Sequence, residues 1–232
     1  MNTTSSPITQ KFQSFCETIY NADYADKNYN HFDKLMDYVM NRLCLVVGET
    51  RYRIVEAEVY YKSIKHPDPY THSVPEQMTQ GGWYFNGMGL DITFGRKAKT
   101  VDENIYGGIL IRGIRKLDGE NQYITGVSNC LKVLFSSIQH ISDGRPSFYF
   151  VENENEYDIP KYEPVKSTRM GLTKKSDDED NYWERPYRYI VELKEAHKFR
   201  QKEDVVKGLL QKGTIDLELA KEMLGYQLKS NS

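Results

Sequence analysis

The segment Tyr52-Arg53-Ile54-Val55-Glu56-Ala57-Glu58-Val59-Tyr60-Tyr61 carries two carboxylates and a phenol capable of acid–base work. Its alternation is that of a strand: Tyr52, Ile54, Glu56, Glu58 and Tyr60 share one face, and Arg53, Val55, Ala57, Val59 and Tyr61 share the other. The Val-Ala-Val side is the buried one. Glu56 and Glu58 therefore look into something polar, which is solvent, a partner or a site. A solvated outer face is the plain reading, since charged side chains are mostly exposed. A carboxylate in a site would instead orient a water or take its proton. Beyond the strand, two prolines in Lys65-His66-Pro67-Asp68-Pro69-Tyr70 forbid regular structure, and His72 and Ser73 are the next polar landmarks. His66, Asp68 and His72 have ligand chemistry, but Pro67 and Pro69 interrupt any regular ligand face, so no metal is expected.

Several elements must hold this strand. Residues 1–7 are expected to be disordered, and Ile8, Phe12, Phe15, Ile19 and Tyr20 then recur at helical spacing. A second helix, with Asn30 as its cap, buries Phe32, Leu35, Met36, Val39 and Met40. Cys44 to Val47 reads as a short strand, Gly48-Glu49-Thr50 as a turn and Arg51 to Tyr61 as the antiparallel partner that presents Glu58. Trp83-Tyr84-Phe85 precedes an Asn86-Gly87 turn, and Leu90 to Phe94 and Gly108 to Ile114 are further strands. Between those two, Arg96-Lys97-Ala98-Lys99 is the best local basic patch, either a solvated loop or a phosphate contact. Arg112 sits in an otherwise apolar strand and needs a partner, for which Glu58 is the natural candidate. A helix from about Gly126, a strand from Ser147 to Val151 and a solvated acidic run of Glu152, Glu154, Glu156 and Asp158 follow. The tail, residues 196–232, places Val205, Leu209 and Leu210, then Leu217, Leu219, Met223 and Leu224, as two short helices.

Composition narrows the classes. The 232 residues, 39% hydrophobic, suffice for a full core. A formal charge of −2 and a pI near 6.2 are not the balance of a chain that grips nucleic acid non-specifically. Any such contact must be local. No apolar run spans a bilayer and the N-terminus lacks signal-peptide regions, so a cytoplasmic protein without a membrane partner is expected. Cys16, Cys44 and Cys130 have no metal-site spacing and read as reduced thiols. The 18 tyrosines suit wet interfaces and base stacking. No internal repeat, zinc pattern or phosphate-binding glycine loop is present.

Ile54-Val55-Glu56-Ala57-Glu58-Val59-Tyr60, followed by Thr71-His72-Ser73, resembles the Ile-Val-Glu-Thr-Glu-Ala-Tyr strand and later Ala-His-Ser of the 3-methyladenine (alkyladenine) DNA glycosylase family. Gly107-Gly108-Ile109-Leu110-Ile111-Arg112-Gly113-Ile114 is similar to that family's strand bearing an active-site arginine. Gly126-Val127-Ser128-Asn129-Cys130-Leu131, Thr168-Arg169-Met170-Gly171-Leu172 and Arg185-Pro186-Tyr187-Arg188-Tyr189-Ile190-Val191 resemble its later blocks in the same order. The resemblance runs from about Phe32 to Glu192. It implies an α+β domain, residues 30–195, with a curved, mostly antiparallel sheet like the barrel of formyltransferase C-terminal domains and with peripheral helices. Residues 1–29 form a tail and helix before it, and residues 196–232 a helical extension.

By the same resemblance the chain is a cofactor-free hydrolase that cleaves the N-glycosidic bond of alkylated or otherwise modified purines in base excision repair. DNA or another base-containing ligand is its partner. Glu58 would activate water, Arg112 would help hold it, and Tyr60 and His72 would sandwich the extruded base. Asp91 stands where the family has an asparagine that contacts the purine's amino-bearing edge, and Asn129 where it has a lysine. The segment from His72 to Asp91, which should carry the wedge that fills the vacated stack, is short and offers only Trp83, Tyr84 and Phe85, which read equally as core or pocket wall. The alternative is a module of the same fold that binds a base, nucleoside or nucleic-acid end without chemistry. Either way, Glu58, Tyr60, His72 and Arg112 are expected along one cleft.

Overall fold

The computed structural model describes residues 6–22, 24, 29–117, 122–136, 148–153 and 159–228. The helices are α1 (Pro7–Tyr20), α2 (Asp33–Asn41), α3 (Val127–Ser136), α4 (Lys202–Gln211) and α5 (Leu217–Leu224). The strands are β1 (Leu43–Val47), β2 (Thr50–Ser63), β3 (His66–Pro67), β4 (Gln80–Phe85), β5 (Leu90–Phe94), β6 (Tyr106–Lys116), β7 (Tyr123–Thr125), β8 (Phe148–Glu152), β9 (Val165–Ser167) and β10 (Arg188–Ile190). All pair antiparallel in one curled, half-barrel sheet, the α+β architecture expected from the sequence.

β2 organises the sheet because of its length. At 14 residues it pairs along one edge with β6 and offers the other edge in turn to β1, β10 and β3. The turn into it is tight: Val47 opposes Thr50, and Gly48 takes φ 60°, a left-handed conformation glycine adopts without a Cβ clash. Near its middle the β2–β6 register slips on both sides of Glu56. That bulge needs Gly113, since a Cβ there would lie 2.9 Å from the Cβ of Glu56. Tyr52, Ile54, Val55, Ala57, Val59 and Tyr61 all enter the apolar core with α1 and α2, so both faces of β2 are covered.

Ser6 caps α1, accepting from the Thr9 amide at 3.2 Å, so the end of the segment 1–7 is ordered, while residues 1–5 lie outside the described residues. Asn30 does not cap α2 as expected. The cap position is Phe32, without a side-chain hydrogen bond, and the Asn30 side chain instead accepts from Lys166 at 2.6 Å. Of the acidic run, Glu152 closes β8 and accepts from the Tyr38 hydroxyl at 2.9 Å, while Glu154, Glu156 and Asp158 lie outside the described residues, as does Ser147. The thiols of Cys16, Cys44 and Cys130 are free and buried. Among the described residues no helix is long and apolar enough to cross a membrane.

The chain divides into two compact units, Met1–Val191 and Glu192–Ser232. The second is the pair α4 and α5, closed on Val206, Ala220 and Leu224. Asp216 caps α5 by accepting from the Leu219 amide at 2.8 Å, and Gly225, at φ 81°, ends it.

Candidate functional site

One row of residues crosses five strands. Tyr84 on β4 opposes Asp91 on β5, Asp91 opposes Leu110 on β6, Leu110 opposes Glu58 on β2, and Glu58 opposes Arg188 on β10. Residues directly opposite in a sheet share a face, as do residues two apart along a strand. The row therefore brings Tyr60 and Glu56 to the same side as Glu58.

At its centre are two carboxylates and two guanidiniums removed from water. Glu58 is fully buried and Glu56 is 2% exposed, which excludes the solvated outer face for both. Arg112 reaches Glu58 Oε1 at 3.3 Å through Nε and Oε2 at 3.3 Å through its Nη1, and its Nε also donates to Glu56 at 3.1 Å. Arg188, brought in by β10, donates to Glu56 from Nε and Nη2 at 2.9 Å. Glu58 gains two more donors: the Tyr60 hydroxyl at 2.9 Å and the Met170 amide at 2.6 Å. Burial still pushes its pKa above the usual carboxylate value, against the pull of Arg112, the Met170 amide and Tyr60. Glu58 is a carboxyl group with a raised proton affinity, aimed by three hydrogen-bond donors and the Arg112 ion pair.

Above the network lies a cleft of about 300 Å³. Tyr60, Tyr70 and His72 are its aromatic lining, Met88, Leu110, Val127 and Leu172 its apolar surfaces, and Gln77, Asn86 and Asp91 its polar end. Tyr60 is the link: its ring lines the cleft while its hydroxyl holds Glu58. Arg169 stiffens that wall from behind. Its guanidinium is bound to Asp68 at 2.6 and 3.3 Å, donates to the carbonyls of Val59 and Tyr182, and lies 4.7 Å from the Tyr60 ring centre and 5.5 Å from that of Tyr70. His72 is exposed and meets Tyr84 edge-on, with the Tyr84 hydroxyl 3.3 Å from His72 Nδ1.

Asp91 is 2% exposed and burial pushes its pKa up to about 7, with Gln77 opposing and Glu58 adding to the rise. The Asn86 amide donates to its Oδ1 at 3.0 Å and the Gln77 side chain hydrogen-bonds it from the other side. Gly108 makes room for this. A Cβ on Gly108 would fall 2.7 Å from Asp91 Oδ2 and 2.9 Å from Gln77 Nε2.

Of the residues picked from sequence, Tyr60, His72 and Asp91 line the cleft and Tyr84 touches it through His72, whereas Glu58 and Arg112, expected along the same cleft, are not in its lining and connect to it through the Tyr60 hydroxyl. Trp83 is elsewhere. Strand alternation turns it to the opposite face from Tyr84, where it opposes Ile92 and packs on Phe148 and Phe150 at 4.6 and 5.4 Å in a separate hollow against α1. His66, Asp68 and His72 do not gather either: His66 is held between the Tyr61 carbonyl and the Tyr187 hydroxyl, both at 2.9 Å, and Asp68 is committed to Arg169. Among the described residues no three His, Cys, Asp or Glu side chains could hold a metal ion. In the basic loop, Arg96 pairs with Glu17 at 3.4 Å and covers the Tyr20 ring. Sequence reasoning gave no role to Arg188, Arg169, the Met170 amide or Gln77. Both arginines lie in segments that resemble the glycosylase blocks, and Arg188, between Tyr187 and Tyr189, carries the same signal of a charge in an apolar strand. Gln77 had no such signal.

No protein-family model matches the chain. It is 30% identical over 198 residues, 73% of this chain and 89% of the other, to "Uncharacterized protein L759" of Acanthamoeba polyphaga mimivirus.

Proposed function

For a chain that belongs to the same family as that mimivirus protein, we propose hydrolysis of the N-glycosidic bond of a modified purine, in DNA or in a smaller base-containing ligand. The observation that carries this reading is the Glu58–Arg112–Tyr60 constellation beneath an aromatic cleft. A cleft of about 300 Å³ with aromatic lining and one polar end suits a flat heterocycle held by stacking and by a hydrogen-bonded edge. Bond cleavage leaves the electron pair on the departing base and positive charge on the sugar, and water adds to the anomeric carbon. Glu58 takes the proton of that water, and its raised pKa makes it a better base than a solvated carboxylate. Arg112 and the Tyr60 hydroxyl keep Oε2 of the resting carboxylate aimed, and the Met170 amide holds Oε1.

Glu58→Gln tests the reading. The amide keeps the shape and removes the base, so ligand binding should persist while release of free base from alkylated DNA or nucleoside falls on the order of 10²-fold or more. Equal release by both purified proteins would end it. A second reading, a binding module without chemistry, is favoured by the complete burial of Glu58 and its three hydrogen-bond donors beside the Arg112 ion pair, which leave little room for a water. Under that reading neither protein releases base and both bind the ligand.

A further inference from the structure

The polar end of the cleft is built so that its amides serve its acid. Gln77 is held in one orientation, because its side-chain oxygen accepts from the Ser73 amide at 3.0 Å, and this turns its NH2 group toward Asp91. The Asn86 NH2 group also donates to Asp91, at 3.0 Å. Both amide donors are thus taken up inside the wall. An ionised carboxylate has about four lone-pair sites and no proton to give, so the two amides leave about two acceptor sites and no donor on Asp91 at the cleft.

We infer that Asp91, held by Gln77 and Asn86, selects the ligand by its edge, taking rings that present two adjacent N–H donors, the pattern of guanine, over rings that present a donor beside a lone pair, the pattern of adenine. The inference rests on the base-binding cleft common to both readings above and needs no bond cleavage. A guanine-type edge places N1–H and the 2-amino group on the two carboxylate oxygens. An adenine-type edge offers its 6-amino group to one oxygen and sets the N1 lone pair against the other. Each bidentate match of this kind discriminates by about tenfold or more.

Protonation reverses the logic, since a carboxylic acid is one donor beside one acceptor and matches the adenine pattern. The pKa near 7 brings that change within ordinary conditions. The charged and titratable groups around Asp91 are Glu58 and Tyr60 on β2, Arg112 on β6, Tyr84 on β4, and Glu76 and His72 on the segment between β3 and β4. All of them are unchanged in an Asp91→Asn variant, so the variant separates the titration of Asp91 from theirs.

The test is calorimetric binding of guanosine and adenosine to the whole wild-type protein and to Asp91→Asn, at about pH 8.5 and about pH 5.5, on either side of the midpoint near 7. Wild type should favour guanosine about tenfold or more at the higher pH and lose that preference at the lower. Asp91→Asn, whose amide is a donor beside an acceptor, should favour adenosine at both. A wild-type protein that shows no preference, or the same preference at both pH values, overturns the inference, and so does failure of both nucleosides to bind at millimolar concentration. The wild-type arm decides the matter even if the variant does not fold. Nucleoside selection without base release would leave this inference standing and remove only the hydrolase.

Discussion

Asp91 and Glu58 are single side chains whose chemistry is set by burial. For Asp91 the folded pKa of about 7 lies above the ordinary value of 3.8. Between those two values the folded chain binds the proton more tightly than the unfolded chain, so stability falls as pH rises through that window. Asp91→Asn removes the dependence. The melting temperature of the variant relative to wild type should therefore rise between about pH 4 and about pH 8, by on the order of several degrees for a chain of this size. A constant difference across that range would mean that Asp91 is not held protonated by its surroundings. Glu58 is shifted in the same direction, but Arg112 pulls against the rise.

The strands β2, β6 and β10 act together, because each supplies part of one charge-balanced cluster. Glu56 accepts from arginines on two different strands. Removing one partner of a buried pair leaves the other uncompensated, and Arg188→Met should cost about 3–5 kcal/mol of stability. Pairing it with Glu56→Gln should recover part of that loss, and a double variant no more stable than Arg188→Met would argue against direct coupling. On β6, Gly108→Ala is a sharper probe of the cleft. The added methyl meets Asp91 and Gln77 at 2.7 and 2.9 Å, so it should weaken nucleoside binding about tenfold or more while the sheet still folds. Unchanged affinity would separate that end of the cleft from ligand binding.

The molecule as a whole carries little charge to grip a duplex. Its net charge is −2, and Arg96, in the best basic loop, is paired with Glu17. Extruding a paired base costs a few kcal/mol, which flanking phosphate contacts and an inserted side chain normally offset. Trp83, one of the three aromatics in the short segment, is turned to the far face of β4. If the hydrolase reading holds, single-turnover release should be markedly faster from single-stranded or mismatched substrate than from a paired duplex carrying the same lesion. Equal rates would assign the insertion to Tyr84 or to Phe85, which is 48% exposed next to Phe135.

The sequence by itself determined β1, β2, β5, β6 and β8 and the short helices of the tail, because period-two and helical patterns are local and β5 falls where Leu90 to Phe94 was expected, whereas the two- and three-residue strands β3, β7 and β9 are too short to carry a pattern. It also marked Glu58 and Arg112 as partners, since a charge in an apolar strand must be neutralised nearby. Which face Glu56 and Glu58 looked into was not local information. Alternation separates two faces but does not say what meets them, and here β10, from residues 188–190, pairs beside β2 and puts a second arginine on the glutamate side. The same limit applied to Trp83 and Tyr84. Their adjacency in sequence suggested one site, whereas the pleat sends adjacent side chains to opposite sides of the sheet. The fixed amide of Gln77 depended on Ser73, Asp91 and the bare backbone at Gly108 meeting in space, and only the folded sheet brings those three together.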